Sequence, residues 1–209
     1  MVKTKLYALI LTSLICFFMA LIEKNDLFAM RKMVLHMDSE YHFLFQYPST
    51  WGLRKAPKEI EIGKVRVFIQ SPDRISLLVT IESLKKKIRR NEFDNSPNQK
   101  TIINRLIENT IDKIYRKAST NMNALRMVIS EKKIFPSKGY IRFDISTVHL
   151  FEKGNPILIK GIHSVPFGRN YLVSFIMTTT VGVKNTEKRE SFRDVFNSFH
   201  MLNDESGTD

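Results

Sequence analysis

The chain has 209 residues, 43% of them apolar, with 15 Phe and a single Trp, values that give it enough material for one sizeable core and exclude a disordered chain. Its formal net charge is +12, from 33 Lys and Arg against 21 Asp and Glu, which fits an anionic neighbour or a solvated basic surface. The only cysteine, Cys16, lies inside an apolar run, so the rest of the chain has no disulfide, cysteine-based zinc site or cysteine nucleophile.

That run extends from Leu6 to Ile22, behind Lys3 and Lys5 and ahead of Glu23, Lys24 and Asp26. A basic start followed by an apolar stretch is a signal peptide or a membrane anchor, and the length reaches the lower limit for a spanning helix, roughly 17 residues. Cleavage after Ala20 would leave Phe18 three residues upstream, and cleavage after Ala29 would leave Leu27, both poor for a signal peptidase. The flanks favour an uncleaved anchor, residues 1–26, with the N-terminus cytoplasmic and the domain on the far, periplasmic or extracellular side. The alternative is secretion after cleavage. Residues 27–38, rich in Met, read as a tether.

Tyr41 to Tyr47 alternates as a strand with Phe43, Phe45 and Tyr47 on one face. Pro48 removes a backbone donor and ends it, and Trp51 drops back into the core. Val65, Val67 and Ile69 mark a second strand, and Ile75 to Leu84 a third. Lys85, Lys86, Lys87, Arg89 and Arg90 then place five cations in six residues. They are candidates for anionic-lipid or partner contact, or else a solvated loop rim; nucleic acid is not expected behind an N-terminal apolar segment. Ser96-Pro97-Asn98-Gln99 has the form of a helix start, with Ser96 as cap and Pro97 in the first turn. Ile103, Leu106, Ile107, Ile111, Ile114 and Tyr115 follow on one helical face, to about Ala118.

The last third reads as antiparallel strands: Leu125 to Ile134, Tyr140 to Phe151, Pro156 to Val165 and Tyr171 to Thr180. Phe192, Val195, Phe196 and Phe199 then form the stripe of a helix lying on a sheet. Residues 203–209 are a polar tail.

Four of these features together resemble the PsbP-like fold: the strand closing on Tyr47-Pro48-Ser49-Thr50-Trp51, the mid-chain amphipathic helix, the long antiparallel strands, and the closing Phe-x-x-Val-Phe-x-Ser-Phe helix at Phe192 to Phe199. That fold is shared by the extrinsic PsbP subunit of the photosynthetic oxygen-evolving complex, a Ran-binding nuclear import factor and small bacterial envelope proteins. The resemblance covers residues 39–202. It implies an α+β domain with a central, mainly antiparallel sheet of about six or seven strands and helices on both faces, preceded here by the N-terminal apolar helix. It also implies a non-enzymatic accessory or assembly role with a protein partner on a membrane face. Some family members bind divalent ions; no family binding residue is carried over.

No cofactor motif and no catalytic constellation stands out. The five His are scattered, without metal-ligand spacing inside one element. A two-residue turn at Lys153-Gly154 would place Asp144 opposite His163, a weak metal or ion-pair candidate against the commoner ordinary cross-strand pair. Phe167 and Arg169, at a hairpin end, are candidates for an interface, the alternative for Phe167 being that it folds back over the sheet edge. Glycines occur singly, so no phosphate loop is present, and no Gly-x-Ser-x-Gly elbow occurs.

Overall fold

A computed structural model describes residues 32–54, 64–135, 139–181 and 186–202. The anchor read at Leu6–Ile22 lies outside them. Among the described residues no helix is long and apolar enough to cross a membrane.

The strands are β1 (Met33–Asp38), β2 (Phe43–Pro48), β3 (Gly52–Leu53), β4 (Lys64–Gln70), β5 (Ser76–Ser83), β6 (Arg126–Phe135), β7 (Tyr140–Leu150), β8 (Ile157–Pro166), β9 (Tyr171–Thr180) and β10 (His200–Met201). Between β5 and β6 lie a short helix α1 (Arg90–Asp94), then α2 (Gln99–Thr110), which continues through a π-helical turn (Ile111–Arg116) into α3 (Lys117–Asn121). Helix α4 (Thr186–Asn197) precedes β10. Seven strands form one sheet in the order β3-β4-β5-β9-β8-β7-β6, antiparallel at every pairing. A second sheet, β1-β2-β10, has three strands. The α+β architecture expected from the sequence is present, with seven strands in the main sheet.

Alternation decides the two faces. Inward residues of β4, β5 and β9 (Val67, Ile69, Leu77, Val79, Ile81, Val173, Phe175 and Met177) meet the small sheet and α4. Phe175 is fully buried and lies 5.1 Å from Phe45 and 4.8 Å from Phe199, centroid to centroid. Trp51 is buried in the same cluster as Phe192 and Phe196, so the two aromatic signatures of the sequence do pack in one core. Each such aromatic, removed from water, stabilises the fold by roughly 1.5–3 kcal/mol. The other face of the sheet takes α2 and the π turn, which bury Ile107, Ile111, Ile114 and Tyr115 against Ile141, Phe143, Ile145, Ile159 and Ile176.

Three expectations change. Met33–Asp38, placed in the tether by its composition, is strand β1 of the small sheet. Its inward residues are Val34, His36 and Asp38, and apolar side chains on its outer face hid the period. The segment after the basic run is not wholly loop: α1 forms there because Phe93 packs 5.5 Å from Phe167. Helix α2 starts at Gln99 behind Asn98, which makes no side-chain cap, and Ser96 Oγ instead accepts from the Asn98 N–H at 3.1 Å. The hydroxyl has formed a local turn in place of a helix cap.

Candidate functional site

Two arrangements bring together side chains capable of chemistry. The first is buried. Tyr115, on the π turn, reaches down to the sheet, where its hydroxyl is 2.9 Å from His163 Nε2 and donates to the Ile145 carbonyl at 3.3 Å. His163 Nδ1 is 2.9 Å from Ser174 Oγ on the next strand. The ring also stacks on Phe143, centroids 5.2 Å apart. The network has room because residue 161 is glycine: a Cβ there would run into the Tyr115 hydroxyl and sit 2.5 Å from His163 Nε2. Tyr115 and His163 are both fully buried.

Burial governs their protonation. Loss of water pushes the His163 pKa down to about 3, so the ring is neutral throughout the neutral range. Burial, with a smaller push from the Asp144 charge, raises the Tyr115 phenol well above its usual value. A neutral imidazole with one donor and one acceptor nitrogen, a phenol and a serine hydroxyl satisfy one another. Ser-His-Tyr chemistry would need a substrate path to this trio, and all three side chains are sealed.

His149, on the same face of β7 as Phe143 and Ile145, is a second buried imidazole. Its Nε2 is 3.0 Å from Thr147 Oγ1, its Nδ1 has no partner among the described residues, and burial lowers its pKa.

The Asp144–His163 pairing read from the sequence does not form. The β7–β8 register pairs Asp144 with Ile162 and Phe143 with His163. The connection from Phe151 to Pro156 is longer than a two-residue turn, and the resulting one-residue slip sends the two side chains to opposite faces of the sheet. Asp144 instead accepts from Arg142 through Nε and a second guanidinium nitrogen, both at 3.1 Å. Among the described residues no group of three His, Cys, Asp or Glu gathers as a metal site.

The second arrangement is exposed. Leu84 N–H donates to the Asn170 carbonyl at 2.7 Å and Gly168 N–H to the Ile88 carbonyl at 2.9 Å. These bonds strap the basic run to the β8–β9 turn. Lys85, Lys86, Lys87, Arg89, Arg90 and Arg169, separate in sequence, therefore stand exposed at one corner of the sheet. Gly168 carries φ +72°, the conformation that lets the turn close against this loop. The corner is partly neutralised: Lys86 and Arg89 lie 3.7 and 3.8 Å from Glu92, and Arg90 lies 3.2 Å from Asp94. Phe167 is half-buried, packed on Phe93, and closes the helix-side core.

A third polar feature was invisible in sequence. Burial opposes ionisation of Asp38, yet the Tyr41 N–H, the Arg66 guanidinium and the Glu40 N–H together hold its carboxyl below the usual value. Arg66 Nε is 2.9 Å from Asp38 Oδ2 and its guanidinium lies 4.9 Å over the Tyr41 ring. This cluster fastens the start of the small sheet to β4.

No protein-family model and no curated protein sequence matches the chain significantly. Solved structures do. The fold is similar to that of cyanobacterial PsbP from Synechocystis sp. PCC 6803, with a TM-score of 0.54 at 15% identity over 84% of this chain and 95% of that one. Weaker likenesses are the Saccharomyces cerevisiae Ran-binding protein Mog1p (TM-score 0.47, 7% identity, 83% and 97% coverage) and LpqN, involved in cell envelope biogenesis of Mycobacterium tuberculosis (TM-score 0.46, 6% identity, 82% and 91% coverage). The fold of this chain is PsbP-like.

Proposed function

We propose that this chain is a non-enzymatic accessory or assembly protein, tethered to a membrane through Leu6–Ile22, whose PsbP-like domain holds a protein partner on the non-cytoplasmic side of the cell envelope. The observation that supports this reading best is where the chemistry-bearing side chains lie. The connected Tyr115–His163–Ser174 trio is sealed in the core, and many of the surface carboxylates are committed to ion pairs. Catalysis needs polar groups that converge on a space a substrate can enter. The apolar N-terminal run and the basic flank in the sequence support the tether. The test is capture of the tagged full chain from its native membranes in mild detergent. A membrane complex enriched in fixed proportion is the expected result; repeated recovery of a lone monomer contradicts it.

A second reading rests on the basic corner. Six cations from the basic run and the β8–β9 turn, only partly offset by Glu92 and Asp94, suit an anionic lipid surface or another anionic ligand. Flotation of the protein with phosphatidylglycerol vesicles, compared with neutral vesicles, tests it. Binding that survives Lys85→Gln, Lys86→Gln and Lys87→Gln together would remove this reading.

A further inference from the structure

We infer that β6 is a docking edge for an extended acidic segment of a partner protein, which joins the main sheet as an added strand beyond β6. The inference rests on the reading of the chain as a protein-binding module and states where and what it binds.

The two ends of the main sheet are built differently. At one end β3 has two residues, Gly52–Leu53, too few to template a ladder. At the other, β6 runs ten residues, Arg126–Phe135, and among the described residues pairs with β7 alone. Every second residue of an edge strand turns its N–H and C=O outward, so a long edge is a template for another chain. A bulge between Ile129 and Glu131 interrupts β6, held by Ser130 Oγ donating to the Ser146 carbonyl at 3.1 Å. Beyond it, Glu131 to Phe135 pairs without interruption against Ser146 to Arg142.

The side chains on this edge select the occupant. On the helix-side face, Ile129 and Ile134 are 44% and 50% exposed and flank Lys132. Glu131, the one acid of the strand, is already held by Lys133 and lies 3.9 Å from Lys160. Lys132 and Arg126 have no ion pair among the described residues. The edge thus presents apolar, cation, apolar. Its complement is an extended segment with an acid at one position and apolar side chains two residues to either side.

A second copy of β6 fits less well. Facing residues on antiparallel strands share one face of the sheet, so two-fold pairing of identical strands must set some residue opposite its own copy. Centring on Glu131, Lys132 or Lys133 sets like charges face to face, which is destabilising.

The test uses the full chain and a fluorescein-labelled synthetic peptide, Thr-Val-Thr-Asp-Thr-Val-Thr, which sets valine, aspartate and valine at every second position on one face, read by anisotropy. Two control peptides replace aspartate by lysine, or N-methylate alternate residues to remove the pairing N–H groups. The acidic peptide binds, and both controls bind at least about tenfold more weakly. Lys132→Glu reverses the preference towards the lysine peptide, and Ile134→Asp weakens binding, with circular dichroism and Tm unchanged in both variants. Failure of the acidic peptide to bind overturns the inference, as does equal binding to wild type and Lys132→Glu. A dimer in sedimentation that Ile134→Asp dissolves overturns it in favour of a second copy. Capture of a membrane complex that is indifferent to Lys132→Glu also overturns the edge while leaving the partner-binding reading intact.

Discussion

The two faces of the main sheet solve the same burial problem with different chemistry. The face under the small sheet and α4 is almost wholly aromatic and aliphatic, with Phe175 in contact with both Phe45 and Phe199. The face under α2 and the π turn encloses Tyr115, His163 and Ser174 among its aliphatic residues. Non-directional packing loses stability in proportion to what is removed. A buried polar network depends on each member remaining neutral and paired.

The aromatic face should show the largest single loss. Phe175→Ala removes the ring at its centre and is expected to cost about 3–5 kcal/mol in urea unfolding, with little dependence on pH. A much smaller loss would mean that the small sheet contributes little to the core.

The polar face should respond to acid. His163 in the unfolded chain has the ordinary value of 6.5, against about 3 when folded. Between those values the unfolded state binds the proton and the folded state does not, so stability is full above the unfolded value and falls as pH drops. At about 1.4 kcal/mol per pH unit, the loss attributable to this ring is about 3 kcal/mol by about pH 4. His163→Gln should be less stable at neutral pH but should lose this component of the acid slope. An unchanged slope would break the distinction between the faces.

Removing one member of the network has a smaller effect. Tyr115→Phe leaves His163 Nε2 unpaired and is expected to cost about 1–3 kcal/mol. Gly161→Ala should destabilise by a similar amount, about 1–3 kcal/mol, through overpacking against the same hydroxyl. The Tyr115→Phe, Gly161→Ala double variant should be more stable than the two single losses added together, because deleting the hydroxyl makes space for the methyl group. Additive losses would show that the added methyl group is opposed by His163 rather than by the hydroxyl.

At the basic corner the stability effect should be smallest. Neutralising Lys85 and Lys87 is expected to change stability by no more than about 0.5 kcal/mol, while weakening any attraction to anionic vesicles. A larger stability loss would make the corner structural.

The sequence made these regions legible to different degrees. Strand β7 alternates along most of its length and β9 is an apolar run between turn residues, so their extents were readable almost to the residue. The aromatic face was readable because Phe43, Phe45 and Trp51 fall close together, and the stripe from Phe192 to Phe199 has helical period. The polar network was not readable: its three members come from a helix and two strands, and each alone looks like an ordinary core or surface residue. Asp144 and His163 illustrate the sensitivity of such readings, since the longer β7–β8 connection moves them to opposite faces. The basic run was legible as composition, but its meeting with Arg169 depends on the backbone bonds of Leu84 and Gly168. Strand β1 was missed because its exposed residues, Leu35 and Met37, are as apolar as an inward face.

The central claim is that the polar interior is scaffolding and that the chain acts through its surface. Proton-coupled NMR of the His163 ring, assigned by its loss in His163→Gln, tests this most directly. The account predicts a neutral ring that does not titrate on lowering the pH from neutral until the protein itself unfolds. A ring that titrates reversibly near 6.5 in the folded chain would show that solvent reaches the trio, and would contradict the account.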